Sequence, residues 1–450
     1  MTLIDLDRAA ESDQAAGLRP PPWRYRHAGM LLAAVLMITL GGAAPTASVF
    51  WRYLGEIGQV NTAEVPVQLT GDHLYTLASS GVQRELTAYQ LDPPRQLWTS
   101  EVPLGAGYDP TQGLFGSVTV RRSGDIVLVS EGVTTTALDA EIGAVLWSAP
   151  FVVTLLSSGH VGVVVERIFR PGTEYDQASG DPGPLYFSAT GVPHTEAPIR
   201  TEVRGIDLTT GKTVWTAAPG GSVTVDPARK DPARDDPAAV LITASDRLIR
   251  LDGATGRTLA ETELPELNGS GPFSGSVIGD VAMVGYQDPP RLVAYDARTL
   301  RRLWQRDRPD VEGEVPSCRD VICSGPRSEL LVLNPATGDE AWAVYAETDL
   351  ASRAGSVLET RADTDTPIRL ADPLTGRTLA DLGGWEQALD GEADGVLVLR
   401  RDLSFAAVLP GHHELTFLGT ADAAGGDCSA DEHHVVCSDG TGLGVWAYRI

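Results

Sequence analysis

Lysine is nearly absent from this chain. Of 35 cationic residues only Lys212 and Lys230 are not arginine, and 60 carboxylates leave a formal net charge of −25. That balance argues against a nucleic-acid backbone or an anionic membrane surface as the main partner. Aromatic residues make up only 6%, and cysteine occurs four times. The sequence has no G-x-S-x-G elbow, no H-E-x-x-H, no G-x-x-x-x-G-K-[ST] and no G-x-G-x-x-G opening a helix. The hydrolase, zinc-protease and phosphate-cradling chemistries that use these signatures therefore have no local support. What is abundant is apolar residue: 42% of 450, enough for a large packed core. A chain of this length exceeds the roughly 250–300 residues one core serves, unless the fold grows by repetition.

One stretch is long, apolar and without charge, Ala28 to Phe50. Its length matches the roughly 20 residues that cross a hydrocarbon core as a helix. A cleaved signal peptide would end near Gly42-Ala43-Ala44, but Pro45 directly after that point and the long polar leader favour retention. A buried core helix is the other reading, disfavoured because no helical pattern lies nearby. Arg19, Arg24 and Arg26 precede the run, and Trp51 and Tyr53 follow it. These flanks predict a cytoplasmic amino terminus and an interfacial aromatic belt. The expected organisation is a polar cytoplasmic tail over 1–27, a transmembrane helix over 28–50, a tether over 51–62 and a β domain over 63–450.

The β domain is legible because one pattern recurs. In GIDLTTGKTVW, apolar residues lead to Asp207, a Thr-Thr-Gly turn follows, and Trp215 lies eight positions after the Asp. Asp139, Asp252, Asp296, Asn334 and Asp372 start equivalent segments that end on Trp147, Ala260, Trp304, Trp342 and Ala380. Gly143, Gly211, Gly256, Gly338 and Gly376 fill one turn slot, and Leu300 alone departs from it. A shorter version, YQLDPPRQLW, ends on Trp98; a degraded one runs from Phe405 to Phe417. Asp side chains bond turn backbones and Gly accepts φ > 0, so each segment is a β-hairpin. With a strand pattern before each hairpin, the period of roughly 35–50 residues is that of a radial β array.

These residues resemble the A-x-D-x-x-T-G-x-x-x-W blade motif of the quinoprotein (PQQ)-like β-propellers, over about residues 57–450. The resemblance implies an all-β propeller in which Asp and Gly build the turn between third and fourth strands and Trp packs between blades. Counting hairpins predicts eight blades, with seven and nine as the neighbouring counts. The strand GVWAYRI at the carboxy terminus has no fourth strand after it, so residues around Ile57 to Val67 are expected to complete that sheet and protect its edge. Two stretches interrupt the order: a Gly/Pro-rich insertion, Arg170 to Pro198, and a charged loop, Asp226 to Pro237.

The cysteines form two close pairs, Cys318 with Cys323 and Cys428 with Cys437. Outside the membrane such pairs read as local disulfides between adjacent strands of one blade. A four-thiolate metal site is the competing reading, weakened because neither pair has C-x-x-C spacing. His412-His413 and His433-His434 cannot each chelate one ion with both rings, since strand neighbours point to opposite faces. They read as solvated histidines, and Asp363 and Asp365 as a surface turn without an EF-hand loop. Quinoprotein alcohol dehydrogenases, which share the blade motif, place two adjacent cysteines against the cofactor ring; this chain has none. No cofactor, metal or catalytic residue is expected.

The resulting expectation is a non-catalytic, membrane-tethered extracytoplasmic propeller of the bacterial cell envelope that binds a partner protein or ligand. A quinone-dependent dehydrogenase, an envelope hydrolase and an extracytoplasmic sensor are the alternatives.

Overall fold

Short β-branched and apolar runs separated by Asp, Gly and Pro turns dictate strands, and strands are what form. The computed structural model describes residues 50–450 apart from 59–66, 71, 81–82, 104–117, 157–158, 177–179, 181–184, 189–191, 222–223, 229–237, 308–317, 326–328, 346, 390–394, 422–425 and 439–441. Among them lie nine blade sheets. Blades 1 to 8 follow in chain order over 67–102, 119–149, 154–217, 224–263, 274–307, 323–344, 348–381 and 387–420. Blade 9 joins Cys428–Ala430, His434–Ser438 and Leu443–Arg449 to the strand Phe50–Ile57 from the other end of the chain.

The ring closes through the core. Each pair of neighbouring blades shares one cluster of buried apolar side chains. A further cluster joins blade 9 to blade 1 through Ile57, Leu74, Leu91, Val436, Leu443 and Val445. A sheet whose two faces both meet neighbours needs apolar residues on both, which is why the second strands read as continuous runs such as AVLIT over Ala239–Thr243. One buried ion pair enters this layer. At the junction of blades 1 and 2, Arg84 Nη2 lies 2.8 Å from Glu131 Oε1, and both side chains are buried.

The count of eight blades is corrected to nine. Hairpins were counted by the turn between third and fourth strands, and blade 9 has no such turn because its fourth strand is Phe50–Ile57. That strand pairs antiparallel from Phe50 with Arg449 to Ile57 with Leu443. The seam therefore exists but lies earlier than the expected 57–67. The tether over 51–62 gives way to a strand over most of its length, because the open edge of Leu443–Arg449 offers unpaired N–H and C=O groups that FWRYLGEI satisfies. The transmembrane helix expected over 28–50 lies outside the described residues except at Phe50, which begins this strand. Among the described residues no helix is long and apolar enough to cross a membrane.

Candidate functional site

The residues singled out by the repeat come together at the blade junctions. The Asp252 carboxylate accepts from the backbone N–H of Ala254 and Thr255, at 3.1 and 2.9 Å, and from the Thr255 hydroxyl at 2.9 Å. Asp207, Asp296 and Asp372 make the same hydroxyl bond to Thr210, Thr299 and Thr375. Asp139 and Asn334 accept from the backbone of Glu141 and Ala336. Burial pushes Asp252 and Asp296 toward the neutral form, but the bonds from Thr255 and Thr299 outweigh it and hold both below the usual carboxylate range. At Asp372 the Thr375 hydroxyl is the main cause of the same depression. These carboxylates are thus turn-builders held as anions.

Each Trp reaches forward into the next blade. Trp98, Trp147, Trp215, Trp304 and Trp342 donate their indole N–H to the carbonyls of Ala140, Leu208, Gly253, Pro335 and Pro373, at 2.9, 2.7, 2.9, 2.8 and 3.2 Å. In every case the acceptor follows the acidic residue, or Asn334, of the next turn. The ring then lies on the turn glycine: a Cβ on Gly143 would meet Trp98 at 2.5 Å, and one on Gly338 would meet Trp304 at 2.4 Å. Positive φ is one reason for glycine there, and the indole of the preceding blade is a second.

Leu300 now has a cause. The preceding blade carries Ala260 at the Trp position, so no indole covers the turn, and a buried leucine takes the glycine slot with φ 56. At the junction of blades 8 and 9 the order reverses: Gly419 stands at the Trp register, and Trp51 of blade 9 packs on it, stacks on Phe405 at 5.4 Å and donates to the Thr420 carbonyl. The sequence flanks predict a membrane-interface position for Trp51; its hydrogen-bond partner lies 369 positions away and leaves no local signal.

Both cysteine pairs are disulfides. Cys428 and Cys437 face each other across adjacent strands of blade 9, as expected. Cys318–Cys323 differs: Cys323 lies in the first strand of blade 6, while Cys318 pairs in parallel with Leu350 of blade 7. That bridge ties two blades rather than two strands of one. The chain turns between the cysteines, and only the sheet assignment shows where each half goes.

His412, His413 and His433 are exposed, as solvated histidines should be. His434 is the exception and is buried. Its Nδ1 lies 3.3 Å from Asp431 and 3.5 Å from Asp72 of blade 1. Burial lowers its proton affinity, but the Asp431 bond and the charges of Asp431, Asp72 and Asp92 prevail and raise it. The three side chains could present ligand atoms within 4.8 Å of one another. Their mutual ion pairs account for the arrangement as the polar part of the seam. Asp363 and Asp365 lie on an exposed turn.

The insertion over 170–198 is partly described and stands off blade 3 as a hairpin, Tyr186–Phe187 against Pro193–His194. Its base is fixed: His194 is buried, stacks on Phe169 at 3.8 Å and bonds Thr173 Oγ1 at 3.0 Å. The hairpin exposes Phe187 at 51%, with Tyr186 and Val192 at 37% each. Of the charged loop over 226–237, Asp226 belongs to a strand and accepts from the Val277 N–H of blade 5 at 2.7 Å. Residues 229–237 lie outside the described residues.

Residues 200–379 match the family model of the outer membrane protein assembly factor BamB. No curated protein matches the sequence. Solved structures with a similar chain course include BamB from Moraxella catarrhalis, at 16% identity and TM-score 0.38, covering 89% of this chain and 98% of that one. A europium-containing methanol dehydrogenase aligns at 12% identity and TM-score 0.36 over 87% of this chain and 85% of that one. The matched residues run from the third strand of blade 3 to the fourth of blade 7, and over them the Asp, Gly and Trp segments are similar to that repeat family.

Proposed function

We propose that this chain is a non-catalytic propeller, tethered through the apolar run over 28–50, that holds a partner protein or ligand of the bacterial cell envelope outside the membrane. The observation that carries the reading is the blade 3 insertion, where the buried His194, stacked on the half-buried Phe169, supports exposed Tyr186 and Phe187. Exposed aromatic side chains on a fixed base lose little conformational entropy on binding, which suits recognition. The two disulfides agree with an oxidising compartment. The shifted carboxylates Asp252, Asp296 and Asp372 serve turns, and Asp431 serves the seam, so none needs a catalytic explanation.

The test is crosslinking of the full-length protein in its native membranes, comparing wild type with a Tyr186→Ser, Phe187→Ser variant. The reading expects a discrete crosslinked partner with wild type that the variant loses while its melting temperature is unchanged. Recovery of the same partner by both proteins would remove the insertion from the site.

A further inference from the structure

Beyond the insertion, the junction of blades 4 and 5 is unlike the five that carry the Trp and Gly interlock. Ala260 stands at the Trp register here, and a cavity of about 270 Å³ lies beside Leu300, between the end of the Thr258–Glu263 strand and the third and fourth strands of blade 5. Its floor is apolar, from Leu300 and Val293, and the Tyr295 ring lines one side. Blade 7 also carries Ala380 at the Trp register, but there Trp385, five residues later, packs onto the junction. No tryptophan lines the cavity at blades 4 and 5 among the described residues.

The walls add charge of one sign. Arg291, Arg301 and Arg302 line the cavity against a single lining carboxylate, Glu263. Arg291 is held by Asp307, at 2.8 Å from Nε to Oδ1. Arg301 and Arg302 form no salt bridge among the described residues; the charge of Arg301 acts on the turn carboxylate Asp296, and the Arg302 guanidinium donates to the neutral Gln305. In a chain of net charge −25 such a pair is a local exception. It favours an anionic ligand, and guanidinium forks favour carboxylate over a neutral acceptor.

We infer that this cavity is a docking site for a partner polypeptide that inserts one aromatic side chain, flanked by a carboxylate residue, between blades 4 and 5. The volume falls below the roughly 300–1,000 Å³ of pockets for whole cofactors and suits a single side chain. The five interlocked junctions show what this position accepts elsewhere, an indole lying on the next turn. Here the ring comes from another chain and rests on Leu300, and its flanking carboxylate meets Arg301 and Arg302. Glu263, at the other side, disfavours a second anion and fixes the peptide direction.

Binding of a fluorescein-labelled heptapeptide with a central Ala-Trp-Asp to the full-length protein tests this, read by fluorescence anisotropy. Two control peptides replace Trp by Ala or Asp by Lys. The wild type is expected to bind the test peptide at least about tenfold more tightly than either control, a difference of about 1.4 kcal/mol. Arg301→Glu changes an exposed side chain and is expected to weaken binding by about tenfold at unchanged melting temperature. Ala260→Trp with Leu300→Gly installs the interlock of the other junctions and is expected to abolish binding while keeping the fold. The Tyr186→Ser, Phe187→Ser variant should bind this peptide as wild type does, which separates this site from the insertion. Equal binding of all three peptides, or unchanged binding by both the Arg301→Glu and the interlock variants, would overturn the inference.

Discussion

Two kinds of blade junction stand side by side in one ring. At the junction of blades 3 and 4, Trp215 lies over Gly256 and donates to the Gly253 carbonyl at 2.9 Å. At the next junction Ala260 and Leu300 stand in the same two positions, and a cavity lies beside Leu300. The backbone registers are equivalent: in both blades the pairing of third and fourth strands shifts just past the Trp or Ala position. The difference is therefore one of side chains alone. It teaches that a large residue in one blade and the glycine of the next form a single packing unit, so a change at one position shows its reason at the other.

The comparison can be broken hardest at the tryptophan. Trp215→Ala removes a buried ring and its hydrogen bond, and denaturant unfolding should show a loss of about 3–5 kcal/mol. A residue at position 260 is already alanine, so the neighbouring junction sets the baseline. A smaller effect is expected from Gly256→Ala. The new methyl would stand 2.7 Å from the Trp215 ring at φ +69, and strain with overpacking should cost about 1–3 kcal/mol by the same measurement. Combined with Trp215→Ala, most of the overpacking part should vanish, leaving the backbone strain. The two effects being additive would contradict the packing unit.

The smallest effect belongs to the seam, where polar groups rather than a ring join two blades. The proton affinity of His434 is raised in the folded state, against the depressing effect of its burial, by Asp431, Asp72 and Asp92. A raised folded value makes its contribution full below the unfolded value of about 6.5 and lost as pH rises through the folded value. Thermal scans of wild type and His434→Gln should therefore differ most below about pH 6.5 and converge above the folded value. A gap that widened with rising pH would reverse the assigned role.

Much of this was legible in the chain. The spacing of Asp207, Gly211 and Trp215, repeated at Asp139, Asp252, Asp296, Asn334 and Asp372, carries the turn chemistry and the strand alternation, both local. Local interactions over eleven residues leave their mark in the sequence. The ninth blade was not legible, because Phe50–Ile57 meets Leu443–Arg449 only across the whole ring. Trp51, whose hydrogen-bond partner is Thr420, and the Cys318–Cys323 link between blades 6 and 7 were missed for the same reason. The burial of His434 likewise depends on blade 1, which is distant in sequence.

By itself, the sequence determined the blade: which residues are strands, where each turn falls, and that the tryptophan and the turn glycine recur together. The tertiary structure decided how many blades close the ring, which strand seals it, and what each indole covers. The reason is physical. A hairpin is stabilised by contacts within a few residues, whereas the identity of a neighbour across a blade junction is fixed only when the whole ring has closed and each apolar face has met its counterpart. Leu300 marks the boundary between the two, an exception in the repeat that only the alanine of the blade before it explains.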